Sequence, residues 1–242
     1  MPMIKVLSTK SLVPSLTEMA KAQGIVIHEQ DAIRVKPILT KEKWDEIFAL
    51  LERQIDHAVF TSSNAVAALK KYLNDYTNHL PPRWKIFCLS GRTKEALLEE
   101  EELFGTIEAT ANSAESLAQQ VIDKGVKEAL FFCGNRRREE LPTILNEAGV
   151  TVHEVVVYEI EETPVAASGE YDAVLFFSPS AVQSFFAANQ LSRATICFAI
   201  GQTTARSLQQ FTSNPLFISK EPTQEALLEE LIHYFKNVVK PD

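Results

Sequence analysis

Hydroxyl, amide and glycine residues cluster at six points of this 242-residue chain, in segments suited to binding anions. Each segment follows a short apolar run and precedes a stretch with helical periodicity. The free N–H groups at the start of a helix bind carboxylate or phosphate, so these segments can hold an anionic ligand. The alternative is helix capping, because the same residue types accept hydrogen bonds from those N–H groups. The six segments are residues 8–10, 61–64, 90–93, 133–136, 178–180 and 201–204.

Three consecutive arginines at residues 136–138 are a second candidate for binding carboxylates, because a guanidinium pairs with a carboxylate through two parallel hydrogen bonds. The alternative is a solvated helix face on which Glu139 and Glu140 are the local partners. No Gly-rich lysine motif, GxGxxG motif or Ser-His-acid grouping supports a nucleotide cofactor or a nucleophilic triad. The histidines have no metal-ligand spacing, so we expect no metal site. They are His28, His57, His79, His153 and His233.

The elements that must position these segments follow from the hydrophobic pattern. Short, nearly continuous apolar runs, such as residues 173–177, alternate with longer segments of helical period, such as residues 65–73. Strands that are apolar throughout are typical of parallel sheets covered on both faces. The pattern therefore predicts an α/β fold with parallel sheets. In such sheets, ligands bind beyond the carboxyl ends of the strands, where the polar segments lie.

Composition and charge narrow the possible functions. The formal net charge of −8 argues against general nucleic-acid binding, which needs a basic surface. The first residues run into a strand-like pattern without a charged leader, and no apolar run is long enough to span a bilayer, so we expect a cytoplasmic protein without membrane contact. Cys88, Cys133 and Cys197 are far apart and lie in or beside apolar runs, which predicts buried free thiols rather than disulfides.

The chain contains an internal repeat. Residues 86–93 align with residues 196–203 at a shift of 110, and residues 24–29 align with residues 149–154 at a shift of 125. This order predicts two similar lobes of about five strands each. The sequence permits two pairings: neighbouring units pair from the start, or the middle unit folds with the unit before it and leaves the first lobe discontinuous. In the second pairing, residues 34–38 and 156–160 are the β-prone passages between the lobes.

The chain resembles the uroporphyrinogen-III synthase family at these same polar segments. The resemblance implies two similar flavodoxin-like lobes with parallel sheets, joined by a two-stranded linker, with a cleft between them. It selects the discontinuous pairing, with a first lobe of residues 1–35 and 166–242, a second lobe of residues 41–156, and linker strands at residues 36–40 and 157–165. The matching segments are residues 60–66, 132–135 with 141–142, 155–159, 176–182 and 199–205.

The resemblance also implies an activity. The family are lyases of heme and tetrapyrrole biosynthesis that cyclise hydroxymethylbilane to uroporphyrinogen III, with loss of water and inversion of ring D through a spiro intermediate. The pyrroles supply the electrons, so the resemblance implies no cofactor. It implies a monomer whose partners are the linear tetrapyrrole substrate and, transiently, the preceding enzyme of the pathway. The protein must hold the carboxylate arms, assist departure of the hydroxyl and block unflipped closure.

Site residues carried over from the family fall into two roles. Tyr158 matches the family's linker tyrosine, whose phenol can donate a hydrogen bond or proton to the leaving hydroxyl. The alternative for Tyr158 is a half-buried aromatic on a linker strand. The implied substrate contacts are Lys10, Thr61, Ser62, Ser63, Thr93, Gly134, Asn135, Arg136, Ser178, Ser180, Gly201, Thr203 and Thr204.

One position departs from the family pattern, which places threonine three residues after the glycine of the first repeat of that motif. Here Lys94 occupies that position and Thr93 precedes it. Either the turn after Gly91 differs, or Lys94 contributes a cation to a carboxylate. The binding roles of Arg92, Thr93 and Lys94 depend on which alternative holds.

Two other classes of protein compete with the enzyme. A catalytically silent homologue would keep the two lobes and act as a binding or interaction protein. The enzyme is favoured by retention of Tyr158 together with Thr61, Ser178 and Thr204. A periplasmic-type binder of sugars or amino acids is disfavoured by the missing leader.

Overall fold

The computed structural model describes residues 3–76, 82–164 and 166–238. The chain divides into two compact units, unit 1 formed by residues 1–34 and 161–242 and unit 2 formed by residues 35–160. The elements in chain order are β1 Ile4–Ser8, α1 Pro14–Lys21, β2 Ile25–Glu29, β3 Ile33–Pro37, α2 Lys41–Glu52, β4 His57–Phe60, α3 Ser63–Tyr76, β5 Trp84–Leu89, α4 Arg92–Leu98, α5 Glu101–Phe104, β6 Gly105–Ala111, α6 Ala114–Asp123, β7 Glu128–Gly134, α7 Glu140–Glu147, β8 Thr151–Glu162, β9 Ala173–Phe176, α8 Pro179–Ala188, β10 Ile196–Ala199, α9 Gln202–Leu208, β11 Leu216–Ile218 and α10 Gln224–Val238.

Each unit is built on a parallel sheet, which confirms the predicted fold class. In unit 1 the strand order is β2-β1-β9-β10-β11, and all neighbours pair in parallel. If the five strands of this sheet are numbered 1 to 5 in chain order, their spatial order is 2-1-3-4-5, which is the flavodoxin-like order. In unit 2 the order is β3-β8-β7-β4-β5-β6, and the neighbours from β8 to β6 pair in parallel.

The two sheets have the same spatial order once the internal repeat is taken into account. The repeat pairs β5 with β10 and β8 with β2, and the resemblance of residues 60–66 to residues 176–182 pairs β4 with β9. With these equivalences, β8-β7-β4-β5-β6 of unit 2 runs in the same order as β2-β1-β9-β10-β11 of unit 1. The units therefore share one architecture but join their strands in a different chain order. Both passages between the units lie inside strands, after Arg34 in β3 and after Ile160 in β8.

The apolar runs are continuous because both faces of each sheet are covered. Along β4, Ala58 and Phe60 face one core cluster of unit 2, while Val59 between them faces the other. Phe132 and Phe131 of β7 divide between the same two clusters. Successive side chains of a strand point to opposite faces, so a strand with two buried faces has no polar positions.

Some local features differ from what the sequence pattern indicates. Residues 156–160 are not a separate segment, because they lie within β8, a single 12-residue strand that begins at Thr151. Strand β6 was not predicted, because its residues alternate between half-buried and exposed at the edge of the sheet and form no apolar run. Two of the six polar segments do not start helices. Residues 8–10 are followed by α1 only at Pro14, and residues 133–136 by α7 only at Glu140.

The three cysteines are buried and free of disulfides, as predicted. Burial raises the pKa of Cys88 and Cys133 to about 11 and that of Cys197 to about 12, so all three thiols are protonated at neutral pH. Among the residues described, every helix is too short or too polar to span a bilayer.

Candidate active site

A pocket of about 560 Å³ opens in unit 2 beyond the carboxyl ends of β4 and β7. This is the edge at which parallel α/β sheets bind ligands. The pocket brings together five of the residues predicted from the sequence, which come from three separate parts of the chain. These residues are Thr61, Ser62, Gly134, Arg136 and Tyr158. We refer to this cavity as the Tyr158 pocket.

The Tyr158 side chain is held by contacts on two sides. Only 7% of the residue is exposed, and its hydroxyl donates a hydrogen bond to Oγ of Ser62 at 3.1 Å. The ring lies directly against Gly134, where a Cβ atom would come within 2.4 Å of Cζ and 2.9 Å of the hydroxyl oxygen of Tyr158. A side chain at position 134 would therefore force the Tyr158 ring to move, whereas glycine leaves room for it.

A β-bulge in β8 turns Tyr158 towards this position. The register of β7 and β8 runs in step up to Cys133 opposite Val156, and then Gly134 lies opposite Tyr158, so Val157 is the extra residue. Val157 and Tyr158 are consecutive and yet both pack in the same core cluster, whereas Val156 packs against the other. Bulges break the alternation of a strand and re-aim its side chains, and they are common beside active sites.

Ser62 occupies the junction between β4 and α3. Besides the Tyr158 hydroxyl, its Oγ accepts a hydrogen bond from the backbone N–H of Asn64 at 3.2 Å. A hydroxyl oxygen has two lone pairs and one hydrogen. With both lone pairs used, the Ser62 hydrogen can point into the pocket. The helix-capping interpretation of this segment is thus compatible with a role in the pocket.

The arginines at 136–138 lie in the loop between β7 and α7, so the interpretation as a solvated helix face was wrong. Arg137 pairs with Glu154 through Nε and Nη2, the latter at 2.8 Å, and its Nη1 lies 2.7 Å from the Glu139 carboxylate. All three arginines line the pocket. Because two carboxylates already hold Arg137, a ligand carboxylate would have to compete with them for its guanidinium.

A pair of carboxyl groups in the pocket was missed by the sequence analysis. Hydrogen bonding to Glu115 and repulsion from it raise the pKa of Glu140, and Arg138 lowers it. The pKa of Glu115 is lowered, first by its own backbone N–H and then by the Ser113 hydroxyl and by Glu140. Glu140 therefore retains a proton at higher pH than an isolated glutamate. Residues 113–117 also align with residues 223–227 at the shift of 110, but this match indicates a helix start and no chemistry.

The departure at Thr93 is explained by the turn before α4. Gly91 has φ +76°, whereas its repeat partner Gly201 is extended with φ −178°. On α4 the buried side chains of the first and second turns are Thr93 and Leu97, and on α9 they include Thr204 and Leu208. The left-handed glycine is accompanied by a shift of the buried threonine by one residue, so the turn after Gly91 differs from the turn after Gly201.

Other predicted contacts are spread over unit 1 and the start of α3. Ser178 caps α8, with Oγ accepting from the Ala181 N–H at 3.1 Å, and Ser180 is half-buried in the first turn. Thr203 and Lys10 are exposed, whereas Thr204 is buried under α9. Ser63 is the half-buried first residue of α3 in unit 2.

Asn135 follows β7 and is itself exposed. Its backbone N–H donates to the Tyr158 carbonyl at 3.1 Å, and its Oδ1 accepts from the Ile160 N–H at 2.9 Å. The predicted substrate contact at this position is thus hydrogen-bonded to the strand that carries Tyr158.

In the three described ranges, no group of three or more His, Cys, Asp or Glu side chains could hold a metal ion. His79, one of the histidines considered as ligands, lies outside those ranges, as does residue 165 at the end of the predicted second linker strand.

Comparison with known proteins identifies the family. Solved structures with a similar fold include uroporphyrinogen-III synthetase from Helicobacter pylori 26695, which is 20% identical with a TM-score of 0.67 over 96% of this chain and 99% of that chain. A mutant uroporphyrinogen III synthase from the extremely thermophilic bacterium Thermus thermophilus is 18% identical with a TM-score of 0.66 over 98% and 100%. A family model described as uroporphyrinogen-III synthase HemD matches residues 14–229. Because this match spans most of the chain, the chain belongs to the uroporphyrinogen-III synthase family, lyases that cyclise hydroxymethylbilane in tetrapyrrole biosynthesis.

Proposed function

We propose that this chain converts hydroxymethylbilane into uroporphyrinogen III, with Tyr158 as the group that assists departure of the terminal hydroxyl. The observation that carries the assignment of Tyr158 is its position: a phenol on a bulged strand, packed on Gly134, hydrogen-bonded to Ser62 and facing a pocket at the carboxyl edge of the sheet.

The reaction needs a proton at its start and returns one at its end. The bond between the terminal carbon and its hydroxyl breaks, the hydroxyl leaves as water, and the lone pair of the ring A nitrogen stabilises the cation as an azafulvene. Ring D attacks this carbon through its substituted α carbon and forms the spiro intermediate. The bond from that α carbon to the neighbouring methylene then breaks, its electron pair restores ring D as a pyrrole, and the methylene is left as an azafulvene cation on ring C. The free α carbon of ring D bonds to this methylene, which closes the macrocycle, and then loses its proton.

Tyr158 and Ser62 can together provide the hydrogen bond or proton that the leaving hydroxyl of the substrate needs. In this structure the Tyr158 hydroxyl donates to Ser62 Oγ. The direction of this hydrogen bond can reverse, so that the Ser62 hydroxyl donates to the Tyr158 oxygen. When the substrate hydroxyl enters, Tyr158 can turn its hydrogen towards it while Ser62 stabilises the phenol oxygen. A positioned general acid typically contributes about 10²- to 10⁴-fold in rate.

The carboxylate arms of the substrate are proposed to bind the arginines and free backbone N–H groups. In unit 2 the candidates are Arg136, Arg138 and the polar segment that starts α3. In unit 1 they are Lys10 and the starts of α8 and α9, with Ser178, Ser180, Gly201 and Thr203. Thr93 and Thr204 are buried, 6% and 3% exposed, so we propose that they support these turns from below.

We further propose a cytoplasmic location, a monomer, and a transient contact with the enzyme that supplies the substrate. These proposals rest on the family resemblance. Direct transfer would be useful because hydroxymethylbilane can also close without inversion when no enzyme holds it.

The proposed function is tested by supplying the purified protein with fresh hydroxymethylbilane and resolving the two uroporphyrin isomers after oxidation. We expect the type III isomer to dominate, because the protein must prevent unflipped closure. A protein-free reaction is the control. An isomer mixture equal to that control would instead favour the catalytically silent homologue.

The role of Ser62 predicts a smaller, separable effect. We expect Ser62→Ala to lower kcat about 2- to 10-fold with KM unchanged, because one hydrogen bond contributes about 0.5 to 1.5 kcal/mol. Ser116→Ala, which replaces an exposed serine on α6, is the matched control. A raised KM with unchanged kcat would show that Ser62 binds the substrate and does not orient the Tyr158 side chain.

A further inference from the structure

We infer that Asn135 is a positioning residue, whose side-chain amide fixes β8 beyond its bulge and so keeps the Tyr158 ring directed into the Tyr158 pocket. The inference rests on the proposed function, because it assigns Asn135 a role through Tyr158 instead of a contact with the substrate. Two hydrogen bonds join Asn135 to β8, one at the Tyr158 carbonyl and one at the Ile160 N–H. We call this pair of hydrogen bonds the Asn135 clamp.

The clamp replaces backbone pairing that β7 cannot provide. The paired register of β7 and β8 ends with Gly134 opposite Tyr158, and the chain then turns away at Asn135. The Ile160 N–H thus lies beyond the last paired residue of β7. The Asn135 side chain accepts its hydrogen bond at 2.9 Å and adds one further rung to the ladder. The backbone N–H of Asn135 supplies the preceding rung, to the Tyr158 carbonyl at 3.1 Å.

The position of this rung matters because the bulge decides which face of the sheet Tyr158 occupies. In a regular strand, Tyr158 would point to the side of Val156, opposite Val155 and Val157. The bulge places it on the side of Val157 instead, in the cluster with Phe60 and Phe132. Pairing on both sides of the bulge is what fixes its place in the strand. Asn135 provides such pairing to the β7 side after Tyr158, through its backbone N–H and its side-chain Oδ1.

Asparagine suits this role because it offers a carbonyl oxygen one bond beyond Cγ without adding charge. Aspartate offers an oxygen at the same distance and can keep the rung, whereas alanine cannot. Since Asn135 is exposed, its truncation leaves no cavity in the core, and the alanine variant is expected to fold.

The test is a double-mutant cycle with Tyr158. In the wild-type background, Asn135→Ala is expected to lower kcat about 10- to 100-fold and to raise the share of the type I isomer, since small misplacement of a catalytic group costs up to about 100-fold. In the Tyr158→Phe background, the same change should alter kcat less than about 2-fold, because the phenol that it positions is already gone. Asn135→Asp should restore most of the rate without raising KM.

A second readout follows the clamp itself. The Ile160 amide should exchange its hydrogen slowly in wild-type protein and in Asn135→Asp, and markedly faster in Asn135→Ala. Equal protection of Ile160 in all three proteins would overturn the inference. Equal loss of kcat in both Tyr158 backgrounds, or a raised KM in Asn135→Asp, would also overturn it and indicate a direct substrate contact. Inactive wild-type protein would contradict the proposed function itself, which distinguishes the two failures.

Discussion

The Tyr158→Phe variant is expected to lose about 100-fold in kcat and to release a larger share of the type I isomer. The change removes only the hydroxyl, so the ring keeps its packing on Gly134 and in the core cluster of unit 2. What is lost is the donor to the leaving hydroxyl. Slower dehydration on the enzyme leaves more bilane to close without inversion, and the isomer ratio shifts for that reason. Steady-state kinetics combined with isomer analysis measures both effects.

The matched control is Tyr171→Phe. The Tyr171 hydroxyl donates to the Ser168 carbonyl at 3.3 Å in unit 1, so this variant removes a hydrogen-bonded phenol hydroxyl outside the pocket. Each of the two variants should change the free energy of unfolding by only about 1 kcal/mol, the usual contribution of a hydrogen bond. Wild-type turnover and isomer ratio in Tyr158→Phe would show that the phenol is not the proton donor.

Much of the fold could be predicted because it depends on patterns that the sequence displays directly. The continuous apolar runs of β4, β7 and β9 indicated parallel strands with two buried faces, and the repeat indicated two sheets of one architecture. Strand β6 could not be found in this way, because an edge strand exposes one face and its sequence, Gly105 to Ala111, alternates instead. The length of β8 was missed because the polar residues His153 and Glu154 interrupt its apolar run.

The candidate site was predictable by residue and much less so by role. Tyr158, Ser62 and Gly134 could be named from the resemblance, and the structure places them in one pocket. The contacts among them depend on a bulge, and a bulge inserts a single residue without changing composition. The shift of the buried threonine at Gly91 is of the same kind, since it depends on a positive φ that any glycine can adopt. At both places a shift of one residue sets the contacts, and such a shift leaves no mark in the sequence pattern.

The Gly134→Ala variant is expected to lose activity at least as severely as Tyr158→Phe, and to lose stability as well. The added methyl would lie 2.4 Å from Cζ and 2.5 Å from Cε2 of Tyr158, closer than such atoms approach in proteins, so the ring must move. Displacing a buried ring costs about 1 to 3 kcal/mol, a fall in Tm of roughly 3 to 10 °C for a chain of this size. Calorimetry and the cyclisation assay measure the two losses separately.

The contrast with Gly201→Ala isolates the cause. Gly201 is the glycine before α9 in unit 1. Its backbone is extended, and no atom lies within 4 Å of a Cβ built on it. The Gly201→Ala variant should therefore have the Tm of the wild-type protein or a slightly higher one. Gly134 is likewise outside the left-handed region, and backbone strain therefore cannot explain a loss of stability at that position.

A double-mutant cycle with Tyr158→Ala tests the same cause, because Tyr158→Ala removes the ring that the new methyl group would meet. In that background, Gly134→Ala should lower Tm by less than about 1 °C, since the strain and the group that causes it are coupled. The same fall in Tm in both backgrounds would show that another neighbour requires the glycine. If the coupling is found, Gly134 is glycine because of Tyr158. The end of β7 then leaves space for the phenol that is proposed to act in the pocket.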